Sequence, residues 1–363
     1  MADFKDEISP ALVRALADEL RRAWPALPVE QFVAQASDGL DRLELKARVA
    51  HVVVALRRAL PPDFASIVKI IDRALRSPGL DGWMMWPITD AVAEAGIDDP
   101  HLALPLLARL TPRWTSEGAV RPFIERYPEI AFEHLRAWAN DPDEHVRRLV
   151  SEGTRPRLPW SSRLGDLHRD PAPAIELLDA LWDDPAEYVR RSVSNHLNDI
   201  AKDHPALAIA TARRWLAEGG EHAEWVARRG LRTLIKAGDP NALALLGYDP
   251  AAAINLADFT LSPTRIQIGE SASISFTLAT GGDDPVRAMI DYIVWHVGAR
   301  GDLRPKVFKL TDRVLHPGAT DRIEKAHPFR EVSVRQLYPG LHRVEIQVNG
   351  RVLGGDDIEL ARS

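Results

Sequence analysis

The stretch DPDEHVRRLVSEG, residues 141–153, returns as DPAEYVRRSVSNH at residues 184–196, a shift of 43 positions. Each copy opens the same way. Asp141 and Asp184 are suited to cap a helix, a Pro follows at the first helical position, and Glu144 and Glu187 complete the first turn, where acidic groups satisfy orphan amides and complement the helix dipole. A helical unit that repeats and cannot bury its apolar face alone must stack on its neighbours.

Outward from this pair, the chain divides near residue 255. Before it, Ala, Leu and Arg dominate, apolar residues recur at helical spacing, and Pro or Gly breaks arrive often enough to predict an array of short helices. A repeat of 43 residues suits HEAT-like or armadillo units, which stack into a curved solenoid with equivalent helices lining its concave face. After residue 255 the period changes. SASISFTLAT (271–280) alternates Ile274, Phe276 and Leu278 with hydroxyl residues, MIDYIVWHV (289–297) is rich in strand formers, and HRVEIQVNGRVL (342–353) carries the hairpin signal Asn349-Gly350. The expected architecture is mainly α: a HEAT-like helical-repeat domain over 1–254, then an immunoglobulin-like β-sandwich over 255–363 without the usual disulfide, since the chain has no cysteine.

Composition removes several classes of function. A chain of 363 residues with 45% apolar content builds substantial cores. The N-terminal MADFKDEISP lacks an apolar signal core, and no run approaches a membrane span, so a cytoplasmic location is the expectation, and a monomer is expected beside it. Without cysteine there is no thiolate ligand or nucleophile, and the 12 histidines form no HExxH motif, so no metal and no cofactor is expected. Phosphate-binding glycine loops and the GxSxG nucleophile elbow are absent. A formal charge of −6 excludes a wholly basic nucleic-acid coat but leaves room for a local basic groove.

Helical spacing aligns Arg148, Glu152 and Arg155 in the first copy and Arg191, Asn195 and Asp199 in the second. Flanking segments give Trp114, Glu117 and Arg121, and Trp225, Arg228 or Arg229, and Arg232. Stacked, such helices present arginines with carboxylates among them. Alternating Arg and Glu also describes a solvated face of weak salt bridges, and residues 146–236 hold 15 basic against 13 acidic residues. The phosphate-binding reading rests on placement: many of those acids lie outside the repeated faces. It makes Arg121, Arg148, Arg155, Arg191 and Arg232 the candidate phosphate contacts. Trp83 and Trp86, in DGWMMWP, read as helix-packing aromatics.

At LELKARV (43–49), TSEGAVRPFI (115–124) and above all HVRRLVSEGTRPRLPW (145–160), the chain resembles the AlkC-type DNA alkylation-repair glycosylases, a family similar to AlkD in its HEAT-like fold. The resemblance spans the helical part, and some AlkC-type members carry a C-terminal immunoglobulin-like domain. It implies excision of cationic N3-methylated bases, 3-methyladenine and 3-methylcytosine, from duplex DNA held in the groove without base flipping. It also implies carboxylate roles for Glu117, Glu152 and Asp199, which would stabilise an oxocarbenium-like sugar and orient water, and contact of Trp160 with the lesion or its sugar. Two readings without catalysis stand beside it: a HEAT-repeat protein scaffold, and a nucleic-acid binder that recognises lesions without cutting. In the sandwich, Arg287, Arg300, Arg304, Lys306, Lys309 and Arg313 are expected around its loops, enough for a clamp that touches phosphates on the uncovered side of the duplex, with a stability module packed on the last helices as the alternative.

Overall fold

The computed structural model describes residues 4–331 and 336–362, so the first three residues of the acidic N-terminal stretch lie outside it. Sixteen α-helices form among the described residues: α1 (Pro10–Ala23), α2 (Val29–Ser37), α3 (Leu45–Ala59), α4 (Phe64–Ala74), α5 (Met85–Ala95), α6 (Pro100–Leu110), α7 (Arg121–Arg126) and α8 (Pro128–Trp138), then α9 (Glu144–Gly153), α10 (Gly165–Arg169), α11 (Ala172–Asp179), α12 (Glu187–Ala201), α13 (Pro205–Glu218), α14 (Ala223–Gly230), α15 (Arg232–Ala237) and α16 (Pro240–Leu245). Two compact units result, one of residues 1–204 and 214–230, the other of residues 205–213 and 231–363.

In the first unit local chemistry sets the helix starts. Ser9 accepts from the Leu12 amide ahead of Pro10, and Asp63 accepts from the Ser66 amide. Apolar spacing then chooses the buried stripe, as where α4 sinks Ile67, Ile70, Ile71 and Ala74. The two repeat helices lie side by side, α9 against α12, and α14 continues the row on the other side of α12, while α8 and α11 pack behind α9.

The repeated opening folds differently from the expected cap. The helices begin two residues later, with Asp143 and Ala186 at the N-caps. Asp141 and Asp184 instead close turns ahead of the helix, accepting from the Asp143 and Ala186 amides. Arg147 and Arg190, at matching positions, fold back to bond the turn carbonyls: Arg147 those of Asp141 and Pro142, Arg190 those of Asp184 and Pro185. Arg147 also grips the Asp184 carboxylate at 2.6 and 3.0 Å. The Arg147–Asp184 pair thus ties one repeat to the next.

Among the described residues the second unit holds eight strands: β1 (Ile254–Ser262), β2 (Arg265–Gln267), β3 (Ser271–Thr280), β4 (Val286–Val297), β5 (Leu303–Leu315), β6 (Thr320–Pro328), β7 (Gly340–Val348) and β8 (Arg351–Ala361). They form sheets of order β1-β3-β6 and β2-β8-β7-β4-β5. Ile274, Phe276 and Leu278 on β3 are fully buried with Ile290, Val294, Val344 and Ile346 of the other sheet, as the alternation predicts. Asn349 and Gly350, at φ of 48° and 80°, make the tight turn between β7 and β8. The Asn349 side chain fastens that turn, accepting from the Met289 amide and donating to the carbonyls of Arg287 and Asp249.

Candidate active site

The repeat row concentrates charge on the first unit. Glu152, in the last turn of α9, lies between two arginines of its own chain segment: Arg155 at 2.5 Å and Arg148 at 3.7 Å. Arg148 reaches on to Glu117 at 2.7 Å, and Arg155 reaches Asp199 on α12 at 2.8 Å. Glu117, Arg148, Glu152, Arg155 and Asp199 therefore form one continuous chain of alternating sign, closed by Lys202 at 3.1 Å from Asp199. Ser192 donates to the second Glu152 oxygen at 2.5 Å, and Thr115 donates to Glu117 at 2.8 Å. Burial alone would lower the Arg148 and Arg155 guanidiniums; their carboxylate partners more than offset it and hold both above the ordinary arginine value. Side-chain exposure falls along the chain, from 21% at Glu117 to 7% at Glu152 and 3% at Asp199, so Glu117 is the reachable carboxylate.

Beneath this chain lies His196, fully buried on α12, with Nδ1 2.9 Å from the Ser151 carbonyl. That contact fixes the proton on Nδ1. Burial, then the charges of Arg155 and Arg121, push its pKa down to about 3, so the imidazole is neutral.

Beside Glu117 stands a group of aromatic rings. Trp160 stacks on Trp86 at 5.9 Å between centroids, Trp86 and Trp83 both neighbour Trp114, and Phe4 sets its edge to Trp160 at 6.2 Å. Trp160 is 54% exposed and sits at φ 65°, in the left-handed region that bulky residues avoid. Holding it there costs on the order of 1–3 kcal/mol, which the surrounding turn supports. A cleft of about 90 Å³ opens between Trp86, Trp114, Trp160, Asp90 and Glu117.

Several expected placements change. Residues 111–120 form turns rather than a helix, so Trp114, Glu117 and Arg121 share no helical face. The hydroxyls of Thr111, Thr115 and Ser116 bond nearby backbone groups and outcompete the helix there. Arg121, expected to bind phosphate, is 1% exposed and donates to the carbonyls of Gly153, Arg155 and Ser162. It is a buried brace that fixes the turn carrying Trp160. Arg155 is committed to Glu152 and Asp199, and Arg148 lies over the Tyr188 ring at 5.0 Å. Arg191 is exposed and pairs with Glu187. Arg232 follows the end of α14 at Gly230, whose Cβ position is closed by Leu197, and it belongs to the second unit. In LELKARV, Arg48 is buried and donates to the carbonyls of Leu43, Lys5 and Ile8, securing the segment that carries Phe4.

Sequence reasoning missed Asp90, Phe4 and Tyr188, and placed Trp86 in the helix packing. The density of tryptophan in DGWMMWP and the His145-to-Tyr188 exchange between repeats were the available signals. Among the described residues, no group of three or more His, Cys, Asp or Glu side chains is placed to hold a metal ion, and no helix is long and apolar enough to cross a membrane.

Comparison with known proteins adds to this geometry. Residues 255–362 match the family described as the C-terminal Ig-like domain of uncharacterised protein YhaZ. Across 362 residues the chain is 36% identical to uncharacterized protein YhaZ of Bacillus subtilis (strain 168), covering 99% of this chain and 100% of the relative. It is similar in structure, with a TM-score of 0.93 and 34% identity over 99% of this chain and 100% of the other, to Pseudomonas fluorescens alkylpurine DNA glycosylase AlkC bound to DNA containing an abasic site analog.

Proposed function

The chain belongs to the AlkC-type family of DNA glycosylases, and from that membership we propose that it excises cationic N3-methylated bases, 3-methyladenine and 3-methylcytosine, from duplex DNA. The observation that carries this reading is the Glu117–Arg148–Glu152–Arg155–Asp199 chain beside an exposed, strained Trp160. A binder of phosphate alone has no use for three carboxylates there.

The chemistry needs little acid catalysis, because a methylated ring that already carries positive charge leaves as a neutral base. As the bond from C1′ to the base nitrogen breaks, its electron pair goes to the base and positive charge grows on the deoxyribose. Carboxylates near C1′ stabilise that charge, and water adds to C1′ with loss of a proton. In this reading Glu117 faces the sugar and orients the water, while Glu152 and Asp199 add negative potential from behind. Their arginines fix the carboxylates before substrate arrives. The cleft supports chemistry without base flipping: at about 90 Å³ it is smaller than the ~150 Å³ cavity that admits benzene, so it does not enclose an extruded purine.

The decisive measurement is base release from duplex DNA treated with a methylating agent. The wild-type protein should liberate 3-methyladenine. Glu152→Gln should lower the rate on the order of 10²-fold while duplex affinity changes little. Activity of the variant within twofold of wild type overturns the role of Glu152, and no release by the wild type supports a binding protein instead.

A further inference from the structure

The cleft holds a carboxyl that the mechanism above does not use. Asp90 lies on α5 one turn after Trp86 and lines the same opening as Glu117, Trp114 and Trp160. The charged groups around it are Glu94 on its own helix, Lys46 on α3 and Glu117 in the turn before α7. On α6, His101 packs toward His134 and Arg109 pairs with Asp72, so both are engaged elsewhere. The third wall, Pro159, Trp160 and Ser161, brings no charge.

Three indole rings and two carboxyls line one narrow opening, a chemistry suited to a flat organic cation. Ring faces attract positive charge through their quadrupoles, and a carboxylate in a partly desolvated cleft adds a direct Coulomb attraction. We propose that Asp90 is a recognition residue that, with Trp86, Trp114 and Trp160, selects the cationic form of the damaged base. This rests on the glycosylase reading above and adds to it a group for telling charged from neutral bases.

The geometry gives the residue a titration signature. Burial first, and then Glu94, push the free Asp90 carboxyl up to about 7, against the pull of Trp86 and Lys46. A cationic base at the mouth of the cleft favours the ionised form. Below about pH 7, binding therefore releases the Asp90 proton to solvent, with no bond made or broken to the base. The substrate keeps its charge throughout, so the pH dependence belongs to the protein.

The test is the pH profile of kcat/KM for 3-methyladenine release from methylated duplex DNA between pH 5.5 and 8.5, corrected for spontaneous release. In the wild type, kcat/KM should rise with pH, up to about tenfold per unit below pH 7, and level off above it. Asp90→Asn should flatten that rise and lower the plateau about tenfold. Asp90→Glu should restore the slope. Asn is close in shape to the protonated acid, and an unchanged thermal unfolding midpoint checks that the fold is kept. A rise that persists in Asp90→Asn overturns the inference alone. Absence of release by the wild type overturns it together with the glycosylase reading.

Discussion

At the scale of single residues, arginine does three different jobs in this chain. Arg121 is a brace: burial pushes its guanidinium down to about 10 against the opposing charges of Glu125 and Glu117, and three carbonyls occupy its terminal nitrogens. Arg148 and Arg155 are spacers that hold carboxylates apart at fixed distances. Arg191 is exposed and free to exchange Glu187 for a phosphate. The sequence shows five similar arginines because residue type and spacing do not report which carbonyls a fold will leave unsatisfied. The difference is measurable. Arg121→Ala should cost about 3–5 kcal/mol in urea unfolding, since it strands buried acceptors. Arg191→Ala should leave stability within about 0.5 kcal/mol, yet reduce the slope of log affinity for duplex DNA against log salt by about 0.9. Equal effects of the two variants on stability would contradict these assignments.

At the scale of elements, the repeat was legible and its details were not. The shift between 141–153 and 184–196 predicted two stacked equivalent helices, and α9 and α12 are those helices. The caps moved by two residues because the Asp side chains bond backbone amides in the preceding turn, a choice that periodicity does not register. Strand alternation fixed Ile274, Phe276 and Leu278 correctly because a two-residue period leaves each side chain only two faces. The Glu117 turn escaped the reading because its hydroxyl bonds compete locally with a helix. Packing α9 against α12 also buries His196 in the neutral form, with a folded pKa of about 3 against the ordinary histidine value of 6.5. Below pH 6.5 the unfolded chain binds the proton that the folded chain refuses. Stability is therefore retained above pH 6.5 and falls as pH drops from there toward the folded value, by up to about 1.4 kcal/mol per pH unit from this residue. His134 and His342, also lowered by burial, act in the same direction. Urea unfolding at pH 7.5, 6.5 and 5.5 should show this fall in the wild type and a smaller one in His196→Asn. Identical pH slopes would show that His196 is not the group responsible.

At the scale of the molecule, the second unit contains more than the strands. Residues 231–254 pack with the sandwich: Gly238 approaches Gly350 so closely that a Cβ at Gly350 would lie 2.6 Å from the Gly238 carbonyl oxygen, and the Tyr248 hydroxyl donates to Asp312 at 2.7 and 2.8 Å. A chain cut before residue 255 would expose Leu243 and Tyr248, both fully buried, and its behaviour would report misfolding as much as any lost contact with DNA. The proposal that the sandwich touches phosphates calls for a change that spares its core. Arg287 is unsuitable, because it lies over the Tyr248 ring at 4.7 Å and bonds the Leu246 carbonyl. Arg304 is paired with Asp302 at 2.7 Å. Arg300 is exposed, and Arg313, nearly half exposed, pairs with Asp321 at a long 3.9 Å. Reversing both, Arg300→Glu with Arg313→Glu, should leave the unfolding midpoint unchanged. If both contact the duplex, affinity should fall at least tenfold and the salt slope by about two units, one for each lost phosphate contact. The rate of base release at saturating protein should then hold, because the carboxylate chain and Trp160 lie in the other unit. An unchanged salt slope would remove the sandwich from the DNA-binding surface and leave its role to the packing of residues 231–254.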